Sequence, residues 1–222
     1  SLDGAGFHGG YNHIVYQMVG QPLGVFYLPH STGLESDGNG GYTYGIADLN
    51  GGGVSLEDGE DRYVAGQAVP KTILGSNISF RYKRFDLSLQ VNGAFGHKIY
   101  NGTSLTYMNM NIFPDYNVMK KAPKQNIKDQ TATDYWLEKG DYVNFDYVTL
   151  GWNGPIEKVQ KLKKYVRSLR LAFTVNNLAT ISGYSGLSPM INSSTVNSTL
   201  GVDDKRGYPL ARTYTLGLSI NF

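Results

Sequence analysis

The sequence predicts an all-β protein: an antiparallel up-and-down meander of about five to six strands, apolar on one face and polar on the other. Three observations carry this. The 222 residues include 28 Gly and 17 Tyr, rich in turn formers and β-favouring aromatics and poor in the Ala, Glu and Leu of helical proteins. The closing stretch, Thr213 to Phe222, alternates strictly, with Tyr214, Leu216, Leu218, Ile220 and Phe222 on one parity and Thr213, Thr215, Gly217, Ser219 and Asn221 on the other. Finally, short links between such stretches alternate with long ones. That asymmetry, and strand lengths near the roughly 9–11 residues a tilted strand needs to cross a bilayer, suit a transmembrane meander with short periplasmic turns and long extracellular loops.

From the N-terminus, residues 1–10 are glycine-rich, and Tyr11 to Val19 is a candidate strand with Ile14, Tyr16 and Met18 on one face. Gly4-Ala5-Gly6-Phe7-His8-Gly9 matches G-x-G-x-x-G, but a dinucleotide site needs a strand before it and a helix after it, and neither is indicated. Val19 to Tyr27 reads as extended chain broken at Pro22. Residues 31–66 then read as a long irregular excursion. Its acidic clusters, Glu35-Ser36-Asp37 and Glu57-Asp58-Gly59-Glu60-Asp61, supply hard oxygen ligands but lack the alternate spacing of an EF-hand loop. A solvated loop is the simpler reading, so no metal site is expected.

The pattern sharpens at Thr72. Leu74, Ile78, Phe80 and Tyr82 alternate with polar residues up to Lys83-Arg84, and Phe85, Leu87, Leu89 and Val91 alternate after it. This is a hairpin with a tight basic turn. Its second face carries Arg81, Asp86, Gln90 and Asn92, too polar for a sandwich interior and suited to a water-filled lumen. A second excursion, residues 101–139, precedes Tyr142 to Trp152. There Val143, Phe145 and Tyr147 share one parity while Val148, Leu150 and Trp152 share the other, which predicts a bulge near Asp146-Tyr147. Pro155 to Val166 carries a partial apolar stripe among Lys158, Lys161, Lys163, Lys164 and nearby Arg167, so one short periplasmic helix is expected. Leu169 to Val175 is the next strand, a third excursion covers residues 181–208, and the final strand follows, with Phe222 at the periplasmic boundary.

Charge and composition exclude several classes. With 20 Lys+Arg against 18 Asp+Glu, there is no basic excess that would argue for nucleic acid. No cysteine means neither a disulfide frame nor a thiolate metal site. No run of about 18 apolar residues forms a helical span, which leaves a barrel open because only alternate strand residues meet lipid. No basic-then-apolar leader stands at Ser1, so any export signal is expected to lie outside this sequence.

Several segments, in order, resemble the SusC-like TonB-dependent transporters of the Bacteroidetes outer membrane. They are Val19-Gly20-Gln21-Pro22-Leu23-Gly24 with Phe26-Tyr27; Pro70-Lys71 with Gly75; and Tyr82-Lys83 with Phe85-Asp86-Leu87-Ser88, Gly93, Gly96 and Ile99-Tyr100-Asn101. They continue in Glu138-Lys139-Gly140-Asp141 before Tyr142-Val143 and Val148-Thr149-Leu150-Gly151-Trp152, then Asn177-Leu178, Tyr184-Ser185-Gly186-Leu187 with Pro189, and Tyr208-Pro209 with Arg212 to Leu218. Ser188 departs from the Asp common in the family, and Ala211 from a second Pro. The resemblance implies that residues 1–222 are the C-terminal segment of a 22-stranded barrel in the cell outer membrane, without its plug. It also implies a SusD-like surface lipoprotein as lid, TonB engaged through a missing N-terminal part, and import of glycan or oligopeptide cargo. The terminal strand resembles the signal read by the barrel assembly machinery, with Thr215, Gly217, Ile220 and Phe222 in its defined places. Five or six strands fall short of the roughly eight of the smallest membrane barrels, so the segment is not expected to close a pore alone.

An enzyme is not expected. A glycosidase needs two carboxylates about 5–10 Å apart, and nothing singles out one pair among the loop acids. The histidines at 8, 13, 30 and 97 have no zinc spacing. No cofactor is implied. The competing reading is a secreted carbohydrate-binding β-sandwich using Tyr107, Tyr116, Trp136 and Tyr184 to stack on sugars. In the transporter reading the same four loop aromatics are the candidate ligand contacts, although loop tyrosines also serve simply to pack loops.

Overall fold

A computed structural model of the chain describes residues 2–3, 13–56, 60–159, 161, 164–191, 200–204, 208 and 210–222. The Gly4–Gly9 motif, residues 57–59 of the second acidic cluster, and Leu162 and Lys163 of the basic stretch lie outside them. The chain divides into two units: residues 72–95, 142–182 and 209–222, and residues 1–71, 96–141 and 183–208. We call them the wall and the loop unit.

The wall is one five-stranded antiparallel sheet of β1 (Thr72–Tyr82), β2 (Phe85–Phe95), β3 (Tyr142–Asn153), β4 (Ser168–Ser182) and β5 (Thr213–Asn221). Each strand pairs with its neighbour in sequence, so the topology is the expected up-and-down meander. The turn between β1 and β2 is Lys83-Arg84, with Lys83 at φ +55°. Register aligns the apolar parities of all five strands. Phe80, Leu87, Leu150, Phe173 and Leu216 form one continuous row, flanked by rows Tyr82–Phe85–Trp152–Leu171–Leu218 and Ile78–Leu89–Val148–Val175–Tyr214. The intervening rows, Ser79–Ser88–Thr149–Thr174–Thr215 and Asn77–Gln90–Tyr147–Asn176–Thr213, take the other face.

The bulge expected near Asp146 is present. Against β2, Asp146 is the extra residue between the pairs Phe145–Val91 and Tyr147–Gln90. Against β4, Asn177 and Leu178 fall between the partners of Tyr147 and Phe145, and Asn177 takes φ +51°, a left-handed geometry that Asn tolerates better than most side chains. Its amide Nδ2 donates to the Ala211 carbonyl at 2.7 Å. Of the short helix expected from Pro155 to Val166, the described part holds a three-residue 3₁₀ turn, Ile156–Lys158, with Pro155 at its N-cap, and the helical residue Lys161.

The loop unit differs from the irregular excursions expected, because those excursions share a core. Ile14, Val15, Phe26, Leu28, Tyr44, Tyr100, Leu105, Ile127 and Val202 are buried in one cluster. His13–Tyr16, the candidate sixth strand, pairs here with Val25–Pro29, which pairs in turn with Arg62–Gln67; it is not part of the wall. Ser31–Ser36 and Tyr42–Ile46 form a hairpin. Lys98–Asn101 is flanked by Leu137–Lys139, antiparallel, and Val202–Asp203, parallel. A short helix, Gly102–Tyr107, starts at Asn101, whose side chain accepts the Ser104 N–H at 2.8 Å.

Candidate functional site

Two surfaces carry chemistry, the outer rows of the wall and the polar and aromatic clusters of the loop unit. In the wall, the whole central apolar row is exposed, from Leu87 at 39% to Leu216 at 72%. Burying a large aliphatic or aromatic side chain contributes about 1.5–3 kcal/mol, so a sheet leaving this row uncovered in water, with Tyr82, Phe85, Leu171 and Leu218 of one flanking row and Ile78 and Tyr214 of the other, forfeits much of its driving force. Contiguous apolar surface on this scale marks contact with lipid or a partner.

The opposite face is hydrogen-bonded and partly charged. Thr149 and Thr174 hydroxyls are 2.8 Å apart, and Asn77 donates to the Tyr147 hydroxyl at 3.0 Å. Asp86 on β2 accepts from Asn153 at 3.1 Å and is ion-paired with Arg170 of β4. Of the residues of the terminal signal, Thr215 lies opposite Thr174 and Gly217 opposite Ala172, on the polar parity. Ile220 lies opposite Leu169, and Ile220 and Phe222 are exposed on the apolar parity.

The loop unit places the four candidate aromatics in different settings. Tyr184 is buried, and its hydroxyl donates to Asp203 at 2.7 Å; burial, then that bond, pushes its ionisation well above the usual tyrosine range. Asp203 also accepts from Thr103 at 2.7 Å. Trp136 is half-buried, donates its indole N–H to Tyr44 at 2.6 Å and meets Tyr135 edge-on at 5.0 Å. Tyr107 is half-buried on the Gly102–Tyr107 helix, while Tyr116 is exposed at 65%. Trp136 and Tyr184 spend their polar atoms inside the unit, and Tyr116 presents its ring to solvent.

Other acids and histidines act as organisers. Asp134 receives the Ser31 N–H at 2.7 Å and the Tyr63 hydroxyl at 2.6 Å, with His30 Nδ1 2.7 Å away. Glu138 accepts from Asn101 at 2.8 Å and from both the N–H and the hydroxyl of Ser185 at 2.7 Å, tying together two excursions far apart in sequence. Asp61 accepts the Ser55 and Leu49 N–H groups, which hold its carboxyl below the usual range. Asp37 does the same with the Asn39 and Gly41 N–H groups. Among the described residues no group of acids and histidines is arranged to hold a metal.

Sequence reasoning missed Asp134, Glu138 and Asp203, since their partners are distant in sequence. It also missed an open pocket of about 350 Å³ bounded by Gln67, Lys71, His97, Lys98, Lys139 and Asp141. His97 is buried there, and burial lowers its basicity against the opposing pull of Asp141.

An up-and-down antiparallel sheet with an exposed apolar face and a hydrogen-bonded polar face is the wall of a membrane β-barrel. The comparisons narrow the class. No protein-family model matches the chain. TonB-dependent receptor P3 of Formosa agariphila is 28% identical over 91% of the chain, and TonB-dependent receptor SusC of Bacteroides thetaiotaomicron is 25% identical over 80% of it. The chain spans 22% and 17% of those proteins. A solved structure of the RagAB peptide transporter superposes over 96% of this chain and 25% of its own, with TM-score 0.68 at 14% identity, a likeness of fold alone. The chain is similar to TonB-dependent receptors, SusC among them.

Proposed function

We propose that this chain is the C-terminal wall and loop segment of an outer-membrane TonB-dependent active transporter that imports glycans or oligopeptides with a SusD-like surface lipoprotein. The observation that carries this is the apolar row Phe80–Leu87–Leu150–Phe173–Leu216, exposed without a break across five paired strands, in a chain whose relatives are TonB-dependent receptors. A carbohydrate-binding sandwich would bury that face against a second sheet. In this reading lipid covers the apolar rows, the polar rows line the lumen, and the loop unit stands toward cargo and lid. TonB acts through a part of the protein not contained in these residues, and the barrel assembly machinery reads the terminal strand. The chain itself performs no chemistry on its cargo.

The test is uptake by cells with and without the gene for the full-length protein, using labelled oligopeptides and oligosaccharides, before and after collapse of the proton gradient. Gene-dependent, gradient-dependent uptake of one class is expected, with a surface lipoprotein co-purifying. Uptake of both classes unchanged by loss of the gene would defeat the proposal.

A further inference from the structure

Lys98 and Lys139 stand directly opposite each other on adjacent antiparallel strands. Side chains so placed lie about 4.5–5.5 Å apart at Cβ, and like charges there are destabilising. Folded domains usually separate such a pair or insert a carboxylate. Among the described residues no carboxylate forms a salt bridge with either lysine, nor with Lys71, which lines the same pocket. Asp141, the acid in the pocket, spends one carboxylate oxygen on the Gly96 N–H at 2.6 Å.

Two glycines make room for the lysine stems. A Cβ at Gly66 would fall 2.7 Å from Cδ of Lys98, and one at Gly96 would fall 3.0 Å from Cβ of Lys71. Both glycines have positive φ, +157° and +77°, so a side chain there would be strained as well as crowded. The two stems thus lie against bare backbone, and three lysines line one open pocket with a single engaged carboxylate, Asp141.

We propose that this pocket binds a phosphoryl oxyanion, held by Lys71, Lys98 and Lys139. Three cations against one carboxylate leave a local charge of the size a phosphate dianion neutralises, and lysine binds phosphate as a point charge without a bidentate fork. Lys71 and Asp141 are the chain neighbours of Thr72 and Tyr142, where β1 and β3 begin. Two sources share the chemistry, a free phosphate or phosphate ester and the phosphate of a lipid headgroup. The site stands on the pocket's own residues and does not depend on the transport reading.

The test uses the full-length protein, purified in detergent and in phosphatidylcholine nanodiscs, with thermal unfolding as the readout. At constant ionic strength, inorganic phosphate should raise the melting temperature of the native protein and leave Lys98→Gln/Lys139→Gln unmoved, with calorimetric phosphate affinity at least tenfold weaker in the variant. A response only when phosphatidic acid is added to the nanodiscs assigns the site to a headgroup. Without any oxyanion the double variant should melt higher than the native protein, because the opposed charges are gone. Lys98→Arg/Lys139→Arg should keep the response, and Lys71→Gln, which leaves the ladder untouched, should weaken it. If native protein and the glutamine variants respond alike to both phosphate sources, the proposal is overturned.

Discussion

Arg170 and Asp86 form an ion pair across a strand that belongs to neither of them. Asp86 is on β2 and Arg170 on β4, and the bridge crosses Gly151 of β3, where a Cβ would overlap both the carboxylate and the guanidinium. Glycine in a strand marks close approach of this kind. Gly151→Ala should therefore destabilise the barrel by about 1–3 kcal/mol, the usual cost of overpacking. Combined with Arg170→Gln it should cost clearly less than the sum of the two single changes, since groups in contact couple. Additive losses in detergent unfolding would mean that Gly151 matters for another reason.

In the membrane reading, the row structure separates lipid-facing from lumen-facing positions. Leu171 and Leu218 are paired in an apolar row, while Thr174 lies in a polar one between Thr149 and Thr215. Leu171→Arg and Leu218→Arg should each destabilise by roughly 2–4 kcal/mol where the side chain meets the bilayer midplane. Thr174→Arg should be tolerated, its charge reaching water. Equal losses at all three positions would sink the facing assignment.

His97 gives the loop unit a pH dependence of definite sign. Its ring is buried, and Gly140 admits it: a Cβ there would lie 2.5 Å from Nε2. Burial lowers its pKa from the ordinary value of 6.5, Asp141 opposes this, and Lys71, Lys98 and Lys139 share the pocket. A base harder to protonate when folded binds more protons unfolded, so stability rises with pH. The contribution is complete above about 6.5 and is lost as pH falls below it toward the depressed folded value. In thermal melts between about pH 5 and 8, the native protein should lose more stability on acidification than His97→Gln. Parallel curves would place His97 in water in the folded state.

How far the fold was legible follows from where its interactions lie in sequence. The wall could be read residue by residue, down to the parity change at Asp146, because a strand with two unlike faces writes its period into neighbouring residues. Asn177 escaped, since one left-handed residue that repairs the register of β4 leaves no mark on an otherwise alternating stretch. The loop unit escaped for a different reason. Tyr100, Ile127 and Val202 pack together from short elements separated by long spans, and the bonds from Asn101 and Ser185 to Glu138 join partners that no local pattern connects. The lysine pocket was hidden likewise, because the opposition of Lys98 and Lys139 exists only in the paired register.

Among the loop aromatics, stability and recognition should separate. Trp136→Ala removes a hydrogen bond to Tyr44 and packing against Tyr135, and should cost a large part of the roughly 3–5 kcal/mol that a fully buried aromatic costs. Tyr116 is exposed, so Tyr116→Ala should change stability by no more than about 0.5 kcal/mol. If Tyr116 contacts cargo, as the proposed function would have it, uptake by cells carrying the full-length Tyr116→Ala protein should fall while its melting stays put. Unchanged uptake would remove Tyr116 from the candidate contacts.

Phe222 follows the last paired residue of β5, Asn221 opposite Ser168, and its ring is exposed on the same parity as Ile220 and Leu218. In the membrane reading it sits at the periplasmic boundary, where an aromatic buries its body and stays near water. Two effects could make it matter, and their sizes differ. Covering one aromatic with lipid contributes about 1.5–3 kcal/mol, a small share of a large barrel's stability, whereas failed recognition of the terminal strand stops assembly before stability counts. Phe222→Ser in the full-length protein should therefore sharply lower the amount inserted into the outer membrane, while whatever inserts melts only slightly below the native protein. Heat-modifiable mobility of membrane fractions measures the first quantity and thermal unfolding of the purified protein the second. Normal insertion with a strongly lowered melting temperature would make Phe222 a packing residue, and the terminal strand would lose its role as the assembly signal.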